Sequence, residues 1–346
     1  MTIQRPTLAV IIPNYNYARY LECAVDSALD QEVPFDEIVV IDDGSTDNSL
    51  TLLKHYGTRI KVVRIPNGGV LGACRAGIAA TTSDYIFTLD ADDFAAPTLV
   101  KRIRPALALR PAKVQFQLRG VDDDGKSLRS SFPTFPPGYD AKAMRHDNVA
   151  LGFYICPPSS GNVFGRDALS RMDMAAFDPR GAFDRSPALA LPYVGEVISL
   201  NEPLAFYRVH DGSMSMGYKP TTELLNREIA LFEKSWDEVV PALGLPAAGF
   251  KRDGSLFVRE RRLMIACLNQ QRFVGLLAAK FVRQLWSTHL TLKQKILLNI
   301  WALALVIPSR RLKNHCIRMR RSAVNRPRSV QVVIAFIMGM RRVRNA

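Results

Sequence analysis

Residues 84–93 read Asp-Tyr-Ile-Phe-Thr-Leu-Asp-Ala-Asp-Asp, a short apolar segment that ends in a cluster of acidic residues. Residues 85–88 are β-branched or aromatic and predict a buried strand. Asp90, Asp92 and Asp93 follow, so the strand carries three carboxylates to its carboxyl end. These like charges repel one another unless a cation lies among them, and carboxylate oxygens are ligands that suit Mg²⁺ and Mn²⁺. The stretch therefore predicts a divalent-metal site or, as the alternative, an acidic surface turn.

Strand patterns alternate with helical patterns before this stretch. Apolar runs predict strands at residues 8–12, 37–41 and 59–65, and helical spacing predicts helices near residues 20–29, 48–56 and 71–80. Ser45 or Thr46 is expected to cap the second helix. This alternation predicts an α/β fold, in which a mostly parallel, Rossmann-like sheet is flanked by helices and binds ligands at the carboxyl edge of its strands.

Polar loops follow three of the predicted strands at that edge. They are residues 13–17, 42–47 and 90–93. Because parallel strands end at the same edge of a sheet, we expect the three loops to converge. The sequence has neither a Gly-x-Gly-x-x-Gly fingerprint after the first strand nor a P-loop. A bound nucleotide would therefore need a metal ion to neutralise its phosphates.

Two later motifs leave alternatives open. Residues 114–121 predict a strand, and the Asp-Asp-Asp-Gly sequence at residues 122–125 is interpreted as a hairpin turn rather than a second metal site. Further strands are predicted at residues 196–200 and 203–210, and His210 ends the second of these. It is either a packed strand residue or a contact to metal or phosphate, since imidazole can serve as a ligand and its cation pairs with phosphate.

The charge of the chain is unevenly distributed. The 346 residues have a net charge of +14 and a hydrophobic fraction of 48%, which is typical of a globular protein. From residue 251 to the end there are 21 lysine and arginine residues but only two acidic residues. We therefore predict a catalytic domain at residues 1–220 and a strongly basic, helical C-terminal region at residues 221–346.

The five cysteines are scattered without close pairs. This spacing argues against a disulfide framework or a zinc site and favours a reducing compartment. The first residues lead directly into a strand pattern and carry no signal peptide. We expect the protein to be cytoplasmic.

The basic C-terminal region contains two apolar runs, near residues 296–308 and 330–340, with Trp286 and Trp301 close to the first. Each run is shorter than the roughly 20 apolar residues that a membrane-spanning helix needs. Such segments suit helices that lie on an anionic membrane, at the inner face of the cell membrane. The alternative is a set of helices that pack on the catalytic domain. No zinc-finger or RNA-recognition signature accompanies the bases, so we predict no nucleic-acid partner.

Four motifs together resemble the signatures of family 2 inverting glycosyltransferases with the GT-A fold. In order, they are Ile-Ile-Pro-Asn-Tyr-Asn (11–16), Val-Val-Ile-Asp-Asp-Gly-Ser-Thr-Asp (39–47), Leu-Asp-Ala-Asp-Asp (89–93) and Pro-Leu-Ala-Phe-Tyr-Arg-Val-His (203–210). Four motifs in the right order are specific, whereas any one alone is weak. The resemblance implies the GT-A fold, a nucleotide-diphosphate-sugar donor, Mn²⁺ or Mg²⁺, and an acceptor hydroxyl.

The resemblance also implies which residues bind the nucleoside. Pro13 and Tyr15, in the first motif, would border it. Asp43 would form a hydrogen bond with the base, and Asp42 would lie nearby. These expectations place the nucleoside at the ends of the first two strands.

The metal and the diphosphate are expected at the third and fourth motifs. By resemblance, Asp92 and Asp93 would bind the ribose and the metal, and Asp90 would support the cluster. Arg75, which follows the Asn-Gly-Gly turn, would face the diphosphate. His210 would reach the metal or the diphosphate.

An inverting transfer also needs a carboxylate that removes the proton of the acceptor hydroxyl. Asp184 is the candidate, because it precedes Tyr207 by 23 residues, about where the family has the Asp of an acidic pair before a helix. The sequence departs from the family here: Phe183 replaces the preceding acid and Pro187 is expected to interrupt the helix. Asp178 is the competing candidate, and the alternative for Asp184 is a capping or surface role.

The sequence therefore predicts an inverting, metal-assisted glycosyltransferase. Its donor would be a nucleotide sugar, with a UDP-sugar as the default, and its acceptor a lipid-linked or surface-glycan precursor. The departure around Asp184 leaves an alternative, a catalytically inactive nucleotide-sugar-binding or membrane scaffold protein with the same fold.

Overall fold

The computed structural model describes residues 5–210, 220–245, 254–288, 290 and 292–321. The chain divides by its internal contacts into two compact units that interleave along the sequence. The sheet unit comprises the residues up to 142 together with 155–209 and 237–245. The helical unit comprises 143–154, 210–236 and the residues from 246 onward. The division between a catalytic domain at residues 1–220 and a basic C-terminal region at residues 221–346 stays a prediction. The apolar run at residues 330–340 lies outside the described residues.

The elements follow one another much as the sequence pattern predicts. The strands are β1 Leu8–Asn14, β2 Glu37–Asp42, β3 Lys61–Arg64, β4 Tyr85–Thr88, β5 Phe94–Ala95, β6 Lys113–Val121, β7 Ser127–Phe132, β8 Asn162–Gly165 and β9 Val197–Arg208. The helices are α1 Ala18–Leu29, α2 Ser49–Lys54, α3 Val70–Ala80, α4 Leu99–Ala108, α5 Ala141–Ala150, α6 Arg166–Ser170, α7 Ser186–Val194, α8 Thr222–Ala242, α9 Leu256–Leu268, α10 Val274–Trp286, α11 Leu292–Val306 and α12 Arg310–Arg321.

One mixed sheet organises the sheet unit. Its order is β3-β2-β1-β4-β8-β6-β9-β5, and β7 pairs with β6. The strands β3, β2, β1 and β4 are mutually parallel, β8 is antiparallel to both β4 and β6, and β9 runs parallel to β6. Because β2, β1 and β4 are parallel neighbours, the three polar loops of the sequence analysis end at one edge of the sheet.

Strand β1 is buried over residues 8–12 because helices cover both of its faces. Its residues 8–12 are a continuous apolar run with no exposed surface, as expected for a central parallel strand. Alternate side chains point to opposite faces, so Val10 packs into the core that α1 and α4 help to form. Ile11 points to the other face, where α3 packs against it at Gly77.

The helical unit has its own apolar core. Helices α9 to α12 pack in sequence, and the core includes Phe281 of α10, Ala302 of α11 and Ile317 of α12. Burial of this apolar surface gives the unit a hydrophobic core separate from that of the sheet. Among the described residues, no helix combines the length and apolar character needed to cross a bilayer.

Three details differ from the sequence prediction. The predicted strands 196–200 and 203–210 form the single strand β9, whose pairing with β6 shifts register near Gln117. At the N-terminus of α2, the Ser49 amide and hydroxyl donate hydrogen bonds to Asp47 Oδ1, so Asp47 takes the place predicted for Ser45 or Thr46. Pro187 does not interrupt a helix but stands in the first turn of α7, where proline needs no hydrogen-bond partner.

We predict that Gly77→Ala destabilises the sheet unit by about 1–3 kcal/mol, because overpacking a rigid core carries this cost. A Cβ atom at Gly77 would lie 2.4 Å from Ile11 Cγ2, and that methyl group cannot swing away from a buried, β-branched side chain. Urea unfolding of both proteins measures the difference in the free energy of unfolding.

The matched control is Gly72→Ala in the same helix, where the nearest atom to an added Cβ is Pro179 Cβ at 3.7 Å. This variant should keep or slightly raise the free energy of unfolding, because alanine is the better helix former. Equal stability of the two variants would contradict the packing of α3 on β1.

Candidate functional site

The loops after β1 and β2 are locked together by hydrogen bonds. Asn14 Nδ2 donates to Ser45 Oγ at 3.1 Å, and the Asp43 amide donates to the Asn14 carbonyl at 2.8 Å. Asn16 has a left-handed backbone (φ 58°), and its Oδ1 accepts from the Thr46 amide at 2.8 Å. The two loops therefore form one rigid edge beside the end of β4, as the sequence predicts.

The acidic cluster lies at the carboxyl end of β4. Asp90, Asp92 and Asp93 each offer a carboxylate oxygen, and these three oxygens lie within 4.8 Å of one another. Asp93 is buried, whereas Asp90 and Asp92 are partly exposed. The carboxylates do converge, and two of them remain accessible to a ligand.

Asp93 is held on both of its carboxylate oxygens. The Ser160 hydroxyl donates to Oδ2 at 2.6 Å, and the Arg208 amide donates to Oδ1 at 2.8 Å. Ser160 is fully buried and also accepts from the Asp90 amide at 3.1 Å. The sequence pattern does not predict this role, because Ser160 is 67 residues from Asp93; the only signal is its position in the glycine-bearing loop 157–162.

The cationic side chain of Arg208 packs against this framework. Its Nε donates to the Asp92 carbonyl at 2.8 Å and its Nη1 to the Asp123 carbonyl at 2.6 Å, and its guanidinium lies over the Tyr20 and Phe94 rings. The side chain is buried, so its charge acts on the cluster at short range. Arg208 belongs to the same motif as His210 and could have been singled out from it.

The turn at residues 122–125 closes the β6–β7 hairpin, as predicted, with the Lys126 amide donating to Asp122 Oδ1 at 2.8 Å. Asp123 also accepts from Arg19 Nη2 at 2.7 Å and from the Tyr20 hydroxyl. The hairpin thereby supports the backbone against which Arg208 packs.

Desolvation and mutual repulsion raise the pKa of the clustered carboxyl groups. The pKa of Asp90 lies well above its usual value, first because of burial and then because of Asp93, Asp92 and Asp184. Burial and Asp92 likewise raise the pKa of Asp93, although Ser160 and Arg208 act against this. A divalent cation would remove this electrostatic cost, so the chemistry of the donor set fits Mg²⁺ or Mn²⁺.

Asp184 stands close enough to Asp90 for their charges to interact. Desolvation raises the pKa of Asp184, while Arg185, Lys113 and a backbone hydrogen bond from Ser159 act in the opposite direction. The competing candidate Asp178 instead caps a local turn, in which its Oδ1 accepts from the Arg180 amide at 2.9 Å. The charge of Asp184 therefore acts on the acidic cluster, whereas the Asp178 carboxylate is engaged in its own turn.

A buried lysine that sequence reasoning missed lies near Asp184. Lys113 is fully buried, and its Nζ donates to Gln115 Oε1 at 3.0 Å and contacts Cys156 Sγ at 3.1 Å. Burial lowers the pKa of Lys113, while Cys156 and, to a lesser extent, Asp184 act to raise it. A lysine at a strand position does not signal this proximity, since Asp184 lies 71 residues away along the chain.

The predicted nucleoside-binding residues occupy the edge formed by the β1 and β2 loops. Tyr15 is 45% exposed and Pro13 is partly buried. Asp43 accepts from the Gly68 amide at 2.7 Å and the Gly69 amide at 2.9 Å, which fixes the glycine turn before α3. Asp42 is fully buried, and its Oδ2 lies 3.5 Å from Arg64 Nε.

Arg75 and His210 are the two residues outside the acidic cluster that are predicted to contact the diphosphate or the metal. Arg75, in α3, donates through Nη2 to the carbonyls of Met174 and Phe177. These hydrogen bonds hold the segment at residues 174–177 against α3. His210 follows the last residue of β9 by two positions and is assigned by its contacts to the helical unit. It stays a prediction that Arg75 contacts the diphosphate and that His210 contacts the metal or the diphosphate. The predicted roles of the other site residues also stay predictions: these residues are Pro13, Tyr15, Asp42, Asp43, Asp90, Asp92, Asp93 and Asp184.

Comparison with known proteins assigns the sheet to a family. Residues 9–165 match the family model described as Glycosyl transferase family 2. An uncharacterized glycosyltransferase of Nostoc sp. strain PCC 7120 is 33% identical over 225 residues, which cover 62% of this chain and 68% of that protein. The Pasteurella multocida chondroitin synthase is 40% identical over 99 residues, which are 28% of this chain but 10% of that protein.

A solved structure has the same fold. The structure of S. aureus TarS 1–349 in complex with UDP-GlcNAc superposes with a TM-score of 0.51 and 16% sequence identity, covering 91% of this chain and 92% of that one. At this identity the likeness concerns the fold alone. The predicted α/β, GT-A fold is confirmed.

We predict that Ser160→Ala weakens Mn²⁺ binding by about ten- to hundredfold, the usual effect of removing a group that orients a metal ligand. The change removes the hydroxyl that holds Asp93 Oδ2 while leaving all three carboxylates in place. Titration calorimetry with Mn²⁺ in the presence of UDP measures the dissociation constant.

Ser159→Ala is the matched control, because the Ser159 carbonyl accepts hydrogen bonds from Thr88 and Asn162 whereas its hydroxyl is not needed for them. It should bind Mn²⁺ as the wild type does. If the two variants have the same affinity, Ser160 does not orient a metal ligand.

Proposed function

The chain belongs to glycosyltransferase family 2, and on that premise we propose that it is an inverting enzyme. It transfers a sugar from a nucleotide diphosphate, by default UDP, to a hydroxyl group of a lipid-linked or surface-glycan precursor. The observation that supports this most directly is the convergence of three carboxylate oxygens within 4.8 Å at the end of β4. The charge of Asp184 also acts on one of these groups, Asp90.

We infer the classes of donor and acceptor from proteins to which this chain is similar. The TarS structure that shares the fold contains UDP-GlcNAc, and the matching segments of chondroitin and hyaluronan synthases of Pasteurella multocida belong to proteins named for polysaccharide synthesis. A nucleotide sugar and a growing or lipid-linked glycan are therefore the substrates that we propose for this chain.

Asp92 and Asp93 are the proposed metal ligands, with Asp90 and His210 as further candidates. When bound, Mg²⁺ or Mn²⁺ would supply the positive charge that stabilises the departing diphosphate. Ser160 and the Arg208 amide keep Asp93 in one rotamer, so the ligand oxygens need no reorganisation. Pro13, Tyr15, Asp42 and Asp43 are proposed to border the nucleoside, and Arg75 to reach the diphosphate.

Asp184 is the proposed general base. It would accept the proton of the acceptor hydroxyl as that oxygen attacks the sugar, and a carboxylate whose pKa is raised toward the working pH is a stronger proton acceptor. Arg185 and the neighbouring Lys113 act to lower the pKa of Asp184, against the effect of desolvation. The Lys113 ammonium group would therefore help to keep Asp184 ionised between turnovers.

The departures from the family pattern do not favour an inactive scaffold protein. Phe183, which replaces the usual acid, is fully buried and packs against Phe164 with ring centroids 4.5 Å apart. Pro187 begins α7, so Asp184 still precedes a helix. Phe183, which stands where the family has an acid, therefore packs in the core. The charge of Asp184 still acts on the cluster through Asp90.

We also propose that the helical unit associates with the anionic, cytoplasmic face of the cell membrane. Leu292, Ile296, Ile300 and Leu303 are exposed, and their spacing places them along one face of α11. The following α12 is rich in basic residues, and an exposed apolar stripe beside positive charge is typical of helices that lie in an anionic membrane surface. This would bring the active site to a lipid-linked acceptor.

We predict that Asp184→Asn lowers kcat by about 10²- to 10⁴-fold, the usual contribution of a general base, with little change in the KM of the donor. Transfer from a panel of UDP-sugars with Mn²⁺ gives the rate, and NMR of the product gives its anomeric configuration. An inverted product is expected.

Asp178→Asn is the matched control and should retain wild-type kcat, since Asp178 caps a turn. Full activity of Asp184→Asn, or an equal loss in both variants, would remove Asp184 from the reaction. A retained anomeric configuration would refute the inverting mechanism.

We predict that Ile300→Gln with Leu303→Gln lowers flotation on phosphatidylglycerol vesicles by at least about tenfold, since each buried aliphatic side chain contributes about 1.5–3 kcal/mol. Both residues are exposed, so folding should be unaffected. Leu109→Gln is the control, because Leu109 is equally apolar and 76% exposed but lies in the sheet unit. Equal flotation of the wild type, the Ile300→Gln/Leu303→Gln variant and the Leu109→Gln variant would rule out α11 as the contact with the membrane.

A further inference from the structure

Lys113 and Cys156 form a close pair of reactive side chains inside the sheet unit. Lys113 Nζ lies 3.1 Å from Cys156 Sγ. Lys113 begins β6 and is fully buried, whereas Cys156 stands just before the loop 157–162 and is partly exposed. The proposed function gives no role to the Cys156 thiol. An ammonium group in contact with a thiol favours the thiolate, which is the form of cysteine that reacts with peroxides.

Hydrogen bonds keep the two groups together. Lys113 Nζ also donates to Gln115 Oε1 at 3.0 Å, and Gln115 Nε2 in turn donates to the Ile155 carbonyl at 3.1 Å. The Cys156 thiol lies 3.3 Å from the Pro157 carbonyl. Gln115 therefore ties the lysine to the segment that carries the cysteine, and the amine stays beside the sulfur without any change in the backbone.

The residue that follows Cys156 limits what an oxidised thiol can do. A sulfenic acid condenses with a second thiol or with a backbone nitrogen. Pro157 has no N–H group, so the next backbone nitrogen cannot take part, and Cys156 is in no disulfide in the structure. An amine reacts with a sulfenic acid as a backbone nitrogen does and is the better nucleophile. Lys113 is therefore the group positioned to capture the oxidised sulfur.

The surroundings of Lys113 also favour its reactive form. Burial lowers the pKa of Lys113, although Cys156 and, to a lesser extent, Asp184 act to raise it. A desolvated ammonium group gives up its proton at a lower pH than an exposed one, and the neutral amine is the nucleophile. The buried position thus suits a lysine that must react after its neighbour has been oxidised.

We propose that hydrogen peroxide joins Lys113 to Cys156 through a covalent S–N bond between Sγ and Nζ. The thiolate attacks one peroxide oxygen, the O–O bond breaks, and the sulfur becomes a sulfenic acid while hydroxide leaves. This hydroxide takes a proton from the ammonium group and becomes water. The amine then attacks the sulfenic sulfur, the S–O bond breaks, and the departing hydroxide takes a second proton from the nitrogen. One peroxide is reduced to two waters, and the sulfur is oxidised by two electrons.

The effect of this cross-link on catalysis rests on the proposed function. Burial raises the pKa of Asp184, and Arg185 and Lys113 act to lower it. A nitrogen bonded to sulfur carries no positive charge, so the cross-link removes one of these two cations. Asp184 is then protonated to a greater extent, and a protonated carboxyl group cannot accept the proton of the acceptor hydroxyl. The pair would switch transfer off in peroxide and on again when a thiol reduces the S–N bond.

The test is mass spectrometry of the full chain after treatment with hydrogen peroxide. Free thiols are alkylated in denaturant without a reductant, and the chain is digested with trypsin. We expect two peptides joined through Lys113 and Cys156, with the sum of their masses less two hydrogen atoms and no cleavage after Lys113. Dithiothreitol should separate them. Absence of the joined peptides from the treated wild type would overturn the proposal.

Three variants serve as controls. Cys156→Ser lacks the sulfur and should form no cross-link. Lys113→Met keeps the thiol but lacks the amine, so dimedone should trap its Cys156 as a sulfenic acid. Cys23→Ser removes an exposed thiol and should cross-link as the wild type does. Equal trapping of Cys156 by dimedone in the wild type and in Lys113→Met would overturn the proposal, because the lysine would then not capture the sulfur.

Activity measurements test the consequence for Asp184. Peroxide should lower the kcat of the wild type by about tenfold, since loss of a neighbouring cation changes the protonation equilibrium of a carboxylate by about this factor or more. Dithiothreitol should restore it, and Cys156→Ser should keep its activity in peroxide. Equal inactivation of the wild type and Cys156→Ser would overturn the switch. A chain that forms the cross-link but transfers no sugar before oxidation would support the modification site and refute the proposed function.

Discussion

Mutual repulsion among three carboxylates at the end of one strand is the constraint on which the rest of the site depends. The β4 strand brings Asp90, Asp92 and Asp93 together, and water is partly excluded from them. Such a cluster is unfavourable in the absence of a cation, so the surrounding structure must hold it in place. Ser160 and Arg208 do so by binding both oxygens of Asp93. The protein therefore accepts an electrostatic cost that a bound cation would relieve.

The sequence predicts the sheet well because each core strand has a pattern that is contained within a few consecutive residues. The apolar run of β1 and the strand before Asp90 can each be recognised within a few residues, and parallel pairing then sends their loops to the same edge. The predicted break at Pro187 is wrong because a proline signal has two meanings. It disrupts the interior of a helix but fits its first turn, and only the position of the helix start decides between them.

The supporting residues of the site are harder to predict, because their partners are far away in the sequence. Arg208 contacts Asp93 across 115 residues, and Ser160 does so across 67 residues. Lys113 resembles any charged strand residue until the fold buries it near Asp184. Sequence motifs therefore identify the acidic residues that would meet a substrate, whereas the groups that orient them become visible only in three dimensions.

The central claim is that Asp92 and Asp93 bind a divalent cation, and Mn²⁺ binding measured by electron paramagnetic resonance tests it most directly. The decisive comparison is an Asp92→Asn/Asp93→Asn double variant against Asp122→Asn/Asp124→Asn, which removes the same charge from the β6–β7 turn. The account predicts that the wild type and the turn variant bind one Mn²⁺ ion with equal affinity and that the Asp92/Asp93 variant binds none. Unchanged binding by the Asp92/Asp93 variant would contradict it.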